Sequence, residues 1–367
     1  MSDFSVSDYR LSTLPEDRRP VCILGLGLIG GSLMRDLKQA GWPVFGWNRS
    51  EKTVERASRD GFDASADLVA TLQRAEREDA LIVLGVPVPA LASLFDAISE
   101  HAPSCGITDV TSVKVEVHEL VEAHGLTDRF VGGHPMAGTA NSGWAATMKG
   151  LFQGAVWVVT YDNAVEHASA NTAGAGSADA ASADAASTSA GQSSQRWLDT
   201  WIRVVGIAEE VGAAVVPALA RRHDRAVARV SHLPHILAEA LAVTGDQGGP
   251  LALSLAASSF RDGTRVAGTE PALVRAMIEN NRTAVVEALD ETIALLQQAR
   301  SDIADPVQDM RGLAEDGNAA RGRFEARAGR KRGDTMHRPI IRVRPGQRGW
   351  LNQLQSAESM GAQIGIF

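Results

Sequence analysis

The chain has 367 residues, long enough for two domains with a core each, and its 44% hydrophobic and 22% charged residues are those of a folded globular protein, not of a disordered one. A net charge of -8 leaves no global basic field to favour nucleic acid. The two cysteines, Cys22 and Cys105, give neither a disulfide framework nor zinc-ligand spacing, so both are read as buried small hydrophobes and no metal is expected.

Residues 1–19 mix acidic, basic and hydroxyl side chains without a continuous apolar stretch, and read as a flexible tail with no signal peptide. No apolar run approaches the length of a membrane span, and the cytoplasm is the expected compartment. An apolar strand at 21–24 runs straight into a glycine-rich turn, and residues 32–40 read as a helix closed by Gly41. Further strands are expected at 43–47, 81–84, 106–109, 130–132 and 156–160, with helical stretches between most of them. Alternating strands and helices predict a largely parallel sheet covered on both faces.

Residues 164–195 are almost wholly small and polar, too poor in large apolar side chains to offset ordering entropy, so a disordered insertion is expected; an alanine-rich helix is the rival reading. Structure resumes with a helix at Trp197 and a strand at 214–216. From Leu219 the pattern is helical. Leu273, Val274, Met277, Ile278, Val285, Leu289, Ile293 and Leu296 predict one long apolar-striped helix with Pro271 in its first turn and Thr269 as cap. Such a stripe suits a dimer interface or an ordinary core equally. The basic residues at 321–348 lack interleaved aromatics and read as a solvated face, not as a nucleic-acid patch. The expected layout is therefore a tail (1–19), a Rossmann-like α/β dinucleotide-binding domain (20–217) interrupted by the insertion, an all-α substrate and dimerisation domain (218–330), and a C-terminal tail (331–367).

Gly25-Leu26-Gly27-Leu28-Ile29-Gly30 fits G-x-G-x-x-G between a strand and a helix, the context in which the motif binds a pyrophosphate at a helix N-terminus. Val86 and Pro87, just past the 81–84 strand, are expected to line the same cofactor. At the end of the second strand stand Asn48-Arg49-Ser50 where an NAD-selective site would carry a carboxylate. Arg49 and Ser50 suit a 2′-phosphate, so NADP is expected ahead of NAD.

Two segments at later strand ends carry the chemistry: Asp109-Val110-Thr111-Ser112-Val113-Lys114 and Gly132-Gly133-His134-Pro135-Met136-Ala137-Gly138. Pro135 biases His134 towards an extended conformation, which predicts a loop position at the sheet's carboxyl edge. In the helical half, His232 and His235 share one helix side, and Pro234 is expected to kink that helix. Arg261 and Arg265, in Phe260-Arg261-Asp262-Gly263-Thr264-Arg265, suit bidentate carboxylate binding.

These segments, in this order, resemble the prephenate/arogenate dehydrogenase family over roughly residues 20 to 300, apart from the insertion. The His-Pro-Met-Ala-Gly and Ser-His-Leu-Pro-His pair is the most specific part of the likeness. The resemblance implies NAD(P)-dependent oxidative decarboxylation of prephenate to 4-hydroxyphenylpyruvate in tyrosine biosynthesis, with arogenate as the alternative substrate of the same site. It implies that His134 is the general base, that Ser112 orients it, that Arg265 binds the ring carboxylate, and that His235 and His232 line the side-chain pocket. It also implies a homodimer. The stretch after Arg330 is too short for an ordinary α/β regulatory module, so any inhibition by tyrosine is expected at the active site. More distant readings are another Rossmann-type hydroxy-acid dehydrogenase or imine reductase, which would more typically place a lysine at the chemical centre, and a non-catalytic sensor.

Overall fold

Val21–Leu24 forms strand β1, whose side chains alternate between two cores: Val21 and Ile23 pack on one face, Cys22 and Leu24 on the other. A strand covered on both faces needs an unbroken apolar run, which is what this sequence has. In the computed structural model, residues 18–139, 141–164, 180–328 and 338–366 are described. They divide into two compact units, one built from the chain up to Ala220 together with the segment from Pro339 onward, the other from Arg221 to Arg338.

Among the described residues of the first unit, β1, β2 (Val44–Trp47), β3 (Ala64–Ser65), β4 (Leu81–Leu84), β5 (Ile107–Asp109) and β6 (Phe130–Val131) form a sheet in the order β3-β2-β1-β4-β5-β6, every pairing parallel. This is the strand order of a dinucleotide-binding Rossmann sheet. Helices α1 (Leu28–Gln39), α2 (Glu51–Arg59), α3 (Leu68–Arg77), α4 (Leu91–His101) and α5 (Val115–Ala123) make the crossovers. A separate three-stranded sheet follows, in which β8 (Val156–Thr160) pairs antiparallel with β7 (Gly133–Pro135) and parallel with β9 (Ala214–Ala218). The 156–160 strand thus lies outside the parallel sheet that strand–helix alternation predicts. Cys22 and Cys105 are both buried and unpaired.

Of the small-residue stretch expected to be disordered, residues 165–179 lie outside the described residues. From Ala180 the backbone is helical and runs unbroken through Trp197 to Glu210 as α6. The far end of this helix is buried through Trp197, Trp201, Val204 and Val205. The N-terminal tail is likewise outside the described residues up to position 17, but Arg19 is tied to Asp79 and Asp199.

The C-terminal tail carries regular structure. Strand β10 (Ile340–Val343), helix α14 (Trp350–Met360) and strand β11 (Gln363–Ile366) fold back onto the first unit, with β10 and β11 parallel. Trp350 packs tilted against Trp197 and edge-to-face against Trp201 of α6, with ring centroids 6.2 and 5.5 Å apart. Glu358 accepts hydrogen bonds from Tyr161 Oη at 2.6 Å and from the Leu219 N–H at 2.9 Å.

The second unit is helical: α7 (Ala220–Val227) leads into it, followed by α8 (Leu233–Gln247), α9 (Gly249–Ser254), α10 (Ser258–Thr264), α11 (Pro271–Glu279), α12 (Arg282–Ala304) and α13 (Arg311–Ala328). The single long helix expected from Pro271 onward is interrupted at Asn280 and Asn281, and its N-cap is Glu270 instead of Thr269. The break has a cause: the Asn281 side chain turns inward to bond the backbone oxygen of Asp224 and the ring of His232. Residues 228–232, immediately before Pro234, form a π-helical turn, so the disturbance attributed to Pro234 takes the form of one wide turn joining α7 to α8. No helix among the described residues is long and apolar enough to cross a membrane.

Candidate active site

Parallel strands place the residues that follow β1, β2, β4 and β5 along one edge of the first unit's sheet. The glycine turn, Asn48–Ser50, Val86–Pro87 and Thr111–Ser112 all fall there. Gly25 has φ +108°, and a Cβ on it would lie 2.4 Å from the Gly85 oxygen, so this turn admits only glycine. A Cβ on Gly30 would lie 2.1 Å from the Gly25 oxygen, which is how closely α1 is packed on β1. A Cβ on Gly27 would meet nothing within 4 Å. Gly27 is also the N-cap of α1 and has no side-chain cap, so the first-turn amides of Leu28 and Ile29 are left to an outside acceptor. These features fit a dinucleotide pyrophosphate.

Asn48, expected on the cofactor, uses its side-chain oxygen to accept the Leu26 N–H at 3.0 Å and so holds the glycine turn. Arg49 and Ser50 are exposed; Ser50 begins α2 without capping it through its hydroxyl. Val86 packs close to Gly25, and Pro87 is exposed at the start of a short 3-10 turn.

The end of β5 carries a buried polar cluster. The Lys114 ammonium pairs with Asp109 Oδ2, donates to the Gly133 oxygen at 2.7 Å, and lies 3.1 Å from Thr111 Oγ1. Asp109 Oδ1 accepts the Gly133 N–H at 3.1 Å, and Oδ2 accepts the Thr111 N–H at 3.0 Å. His134, expected on a loop, instead occupies the middle of strand β7, paired with Val158 and half-buried. The extended conformation imposed by Pro135 is satisfied by a strand because β8 supplies a partner. Ser112 is half-buried in the turn between β5 and α5.

In the second unit, His232 is buried, with 1% of its surface exposed, and its Nδ1 lies 3.2 Å from Asn281 Nδ2. Burial pushes its pKa down to about 4; the neighbouring His223 and His235 act in the same direction, and Asp224 opposes them. His223 and Asp224 are themselves buried and joined at 2.7 Å. His232 therefore sits beneath the surface of its unit in a polar network. His235, one turn on, has a buried ring Nδ1 with no hydrogen-bond partner among the described residues. Arg265 is exposed at the start of a 3-10 turn (Arg265–Gly268), and Arg261 is exposed on α10. Among the described residues no group of three or more His, Cys, Asp or Glu side chains is arranged to hold a metal ion.

Asp109, Lys114 and Asn281 are the residues that sequence reasoning passed over. The first two stand within a motif already singled out, but only a fold shows that their charges meet. Asn281 had a signal: two consecutive asparagines inside a helical stretch favour a break.

Two family models match the chain: "Prephenate dehydrogenase, nucleotide-binding domain" over residues 33–173 and "Prephenate dehydrogenase, dimerization domain" over residues 219–316. The cyclohexadienyl dehydrogenase of Zymomonas mobilis is 32% identical over 295 residues, covering 77% of this chain and 88% of that protein. A Corynebacterium glutamicum protein of known crystal structure, provisionally described as a prephenate dehydrogenase, is 51% identical with a TM-score of 0.83, covering 95% of this chain and 99% of that one. The arogenate dehydrogenase of Synechocystis is 28% identical with a TM-score of 0.65, covering 83% and 99%.

Proposed function

The chain belongs to the prephenate dehydrogenase family, and from that premise we propose that it oxidatively decarboxylates prephenate to 4-hydroxyphenylpyruvate with a nicotinamide dinucleotide, NADP ahead of NAD. The observation that carries the reading is the pairing, in one unit, of a glycine turn open at Gly27 with a histidine on a strand braced against the end of β5. When bound, the nicotinamide supplies the hydride acceptor. His134, as a neutral imidazole, takes the proton of the ring C4 hydroxyl while the C4 hydrogen leaves as hydride. The ring carboxylate departs as carbon dioxide, its bonding pair passing through the ring to the C4 oxygen, which takes the proton back from His134 as the phenol forms, and aromatisation drives the step. Ser112 orients His134. Arg265 holds the ring carboxylate with its planar guanidinium fork. The unpartnered buried nitrogen of His235 suits a polar group of the substrate's side chain.

Arg49 is exposed and makes no ion pair with a described residue, which suits it to a 2′-phosphate. A homodimer forms through the helical unit; Leu251 and Leu255, 70% and 74% exposed in the single chain, support it. Tyrosine, if it inhibits, competes at the active site, and the enzyme works in the cytoplasm. Arogenate, which has an amino group in place of the keto group, is the second reading, favoured by the likeness to the Synechocystis enzyme.

The test is absorbance of the reduced cofactor with prephenate or arogenate and with NADP or NAD. Reduction fastest with prephenate and NADP is expected. Arg49→Ala should weaken NADP binding about tenfold to a hundredfold, the worth of a charge-assisted bond, and leave NAD nearly unchanged. Preference for arogenate replaces the substrate, preference for NAD removes the role of Arg49, and no reduction from folded protein that binds dinucleotide overturns the reaction.

A further inference from the structure

Lys114 and Asp109 are 2% and 0% exposed, and burying two charges is expensive enough that an apolar pair of the same volume is often as stable or more so. Bonds from both converge on Gly133. Lys114 Nζ donates to the Gly133 oxygen at 2.7 Å, and Asp109 Oδ1 accepts the Gly133 N–H at 3.1 Å. The Gly133 oxygen belongs to the peptide group that supplies the His134 nitrogen, so the two charges grip the backbone on both sides of Gly133, immediately before His134. Thr111 completes the cluster, its N–H on Asp109 Oδ2 and its hydroxyl 3.1 Å from the ammonium. Gly133 permits the approach: a Cβ there would lie 2.6 Å from the Asp109 backbone oxygen. On the other side, β7 is held by its ladder to β8.

We propose that Asp109 and Lys114 are positioning residues for His134: as a buried ion pair they lock the Gly133–His134 peptide and so fix the direction of the imidazole. The inference rests on the reading of His134 as general base. An apolar pair would fill the same space but leave the Gly133 oxygen and N–H without these partners. The ion pair is therefore retained for what it orients. An aim lost by about an ångström costs a general base on the order of a hundredfold in rate.

The test compares full-length parent, Lys114→Met, the neutral double variant Asp109→Asn with Lys114→Met, and His134→Asn. Each is assayed for kcat, substrate KM, dinucleotide Kd and circular dichroism. The double variant carries no unpaired buried charge, so it is expected to fold even if Lys114→Met does not. In it, kcat should fall about tenfold to a hundredfold while KM and dinucleotide Kd stay within about threefold, the signature of an interaction made in the transition state. A folded double variant with parental kcat overturns the proposal. So does a double variant that cannot fold, since the pair would then be a folding element. Parental turnover in His134→Asn removes the premise instead, and the two failures are told apart by which variant keeps its kcat.

Discussion

His232 should stay neutral through the physiological range, and lowering the pH should destabilise the helical unit through it. The geometry agrees with a neutral ring: Asn281 Nδ2 donates one proton to the Asp224 oxygen at 2.9 Å and lies 3.2 Å from His232 Nδ1, which must then be the unprotonated, accepting nitrogen. Burial, with His223 and His235 nearby and Asp224 opposing, takes the pKa down to about 4 from an ordinary value of about 6.5. Between those values the unfolded chain binds a proton that the folded chain does not. The contribution to stability is thus complete above about pH 6.5 and is lost as the pH falls to about 4, amounting to about 3 kcal/mol, or about 2 after allowing for partial solvent screening. The assay is urea unfolding at about pH 7.5 and about pH 5 for the parent and His232→Gln, whose amide oxygen can still accept from Asn281. The parent should lose more stability than the variant on acidification, and the ring resonance missing from the variant's NMR spectrum should not titrate above about pH 5. A resonance moving with a midpoint near 6.5, or equal losses in both proteins, would refute the account.

The glycine turn gives a paired prediction. Gly27→Ala, with nothing within 4 Å of the new methyl, should fold normally yet weaken dinucleotide binding about tenfold or more by standing where the pyrophosphate approaches; isothermal titration measures it. Gly30→Ala would push a methyl to 2.1 Å from the Gly25 oxygen and should lower the melting temperature itself. Equal stability in the two variants would show that the tight helix–strand packing is not what Gly30 provides. At the C-terminal segment, Glu358→Ala removes the acceptor of both Tyr161 Oη and the Leu219 N–H and should cost roughly 2 kcal/mol in chemical denaturation; Glu358→Gln, which keeps an acceptor, should cost less. Equal costs would mean that the charge, not the bonds, matters.

The order of local patterns sufficed for much of this protein. An apolar run into G-x-G-x-x-G states both a doubly covered strand and a pyrophosphate turn, because the steric demands on Gly25 and Gly30 are local to that turn. Strand–helix alternation likewise specified the parallel sheet, and the histidine motifs pointed to the family. The tertiary structure alone decided what depends on partners far along the chain. His134 becomes part of a strand because Val156–Thr160 lies beside it. Asn48 accepts the Leu26 N–H. The Asn281 amide, at the break between the Pro271–Glu279 and Arg282–Ala304 helices, meets the ring nitrogen of His232, 49 residues earlier. The charges of Asp109 and Lys114 meet around a glycine from another strand. Sequence pattern reads the free energy of neighbours; a buried polar group is satisfied wherever the fold brings an acceptor, and no local period records that place.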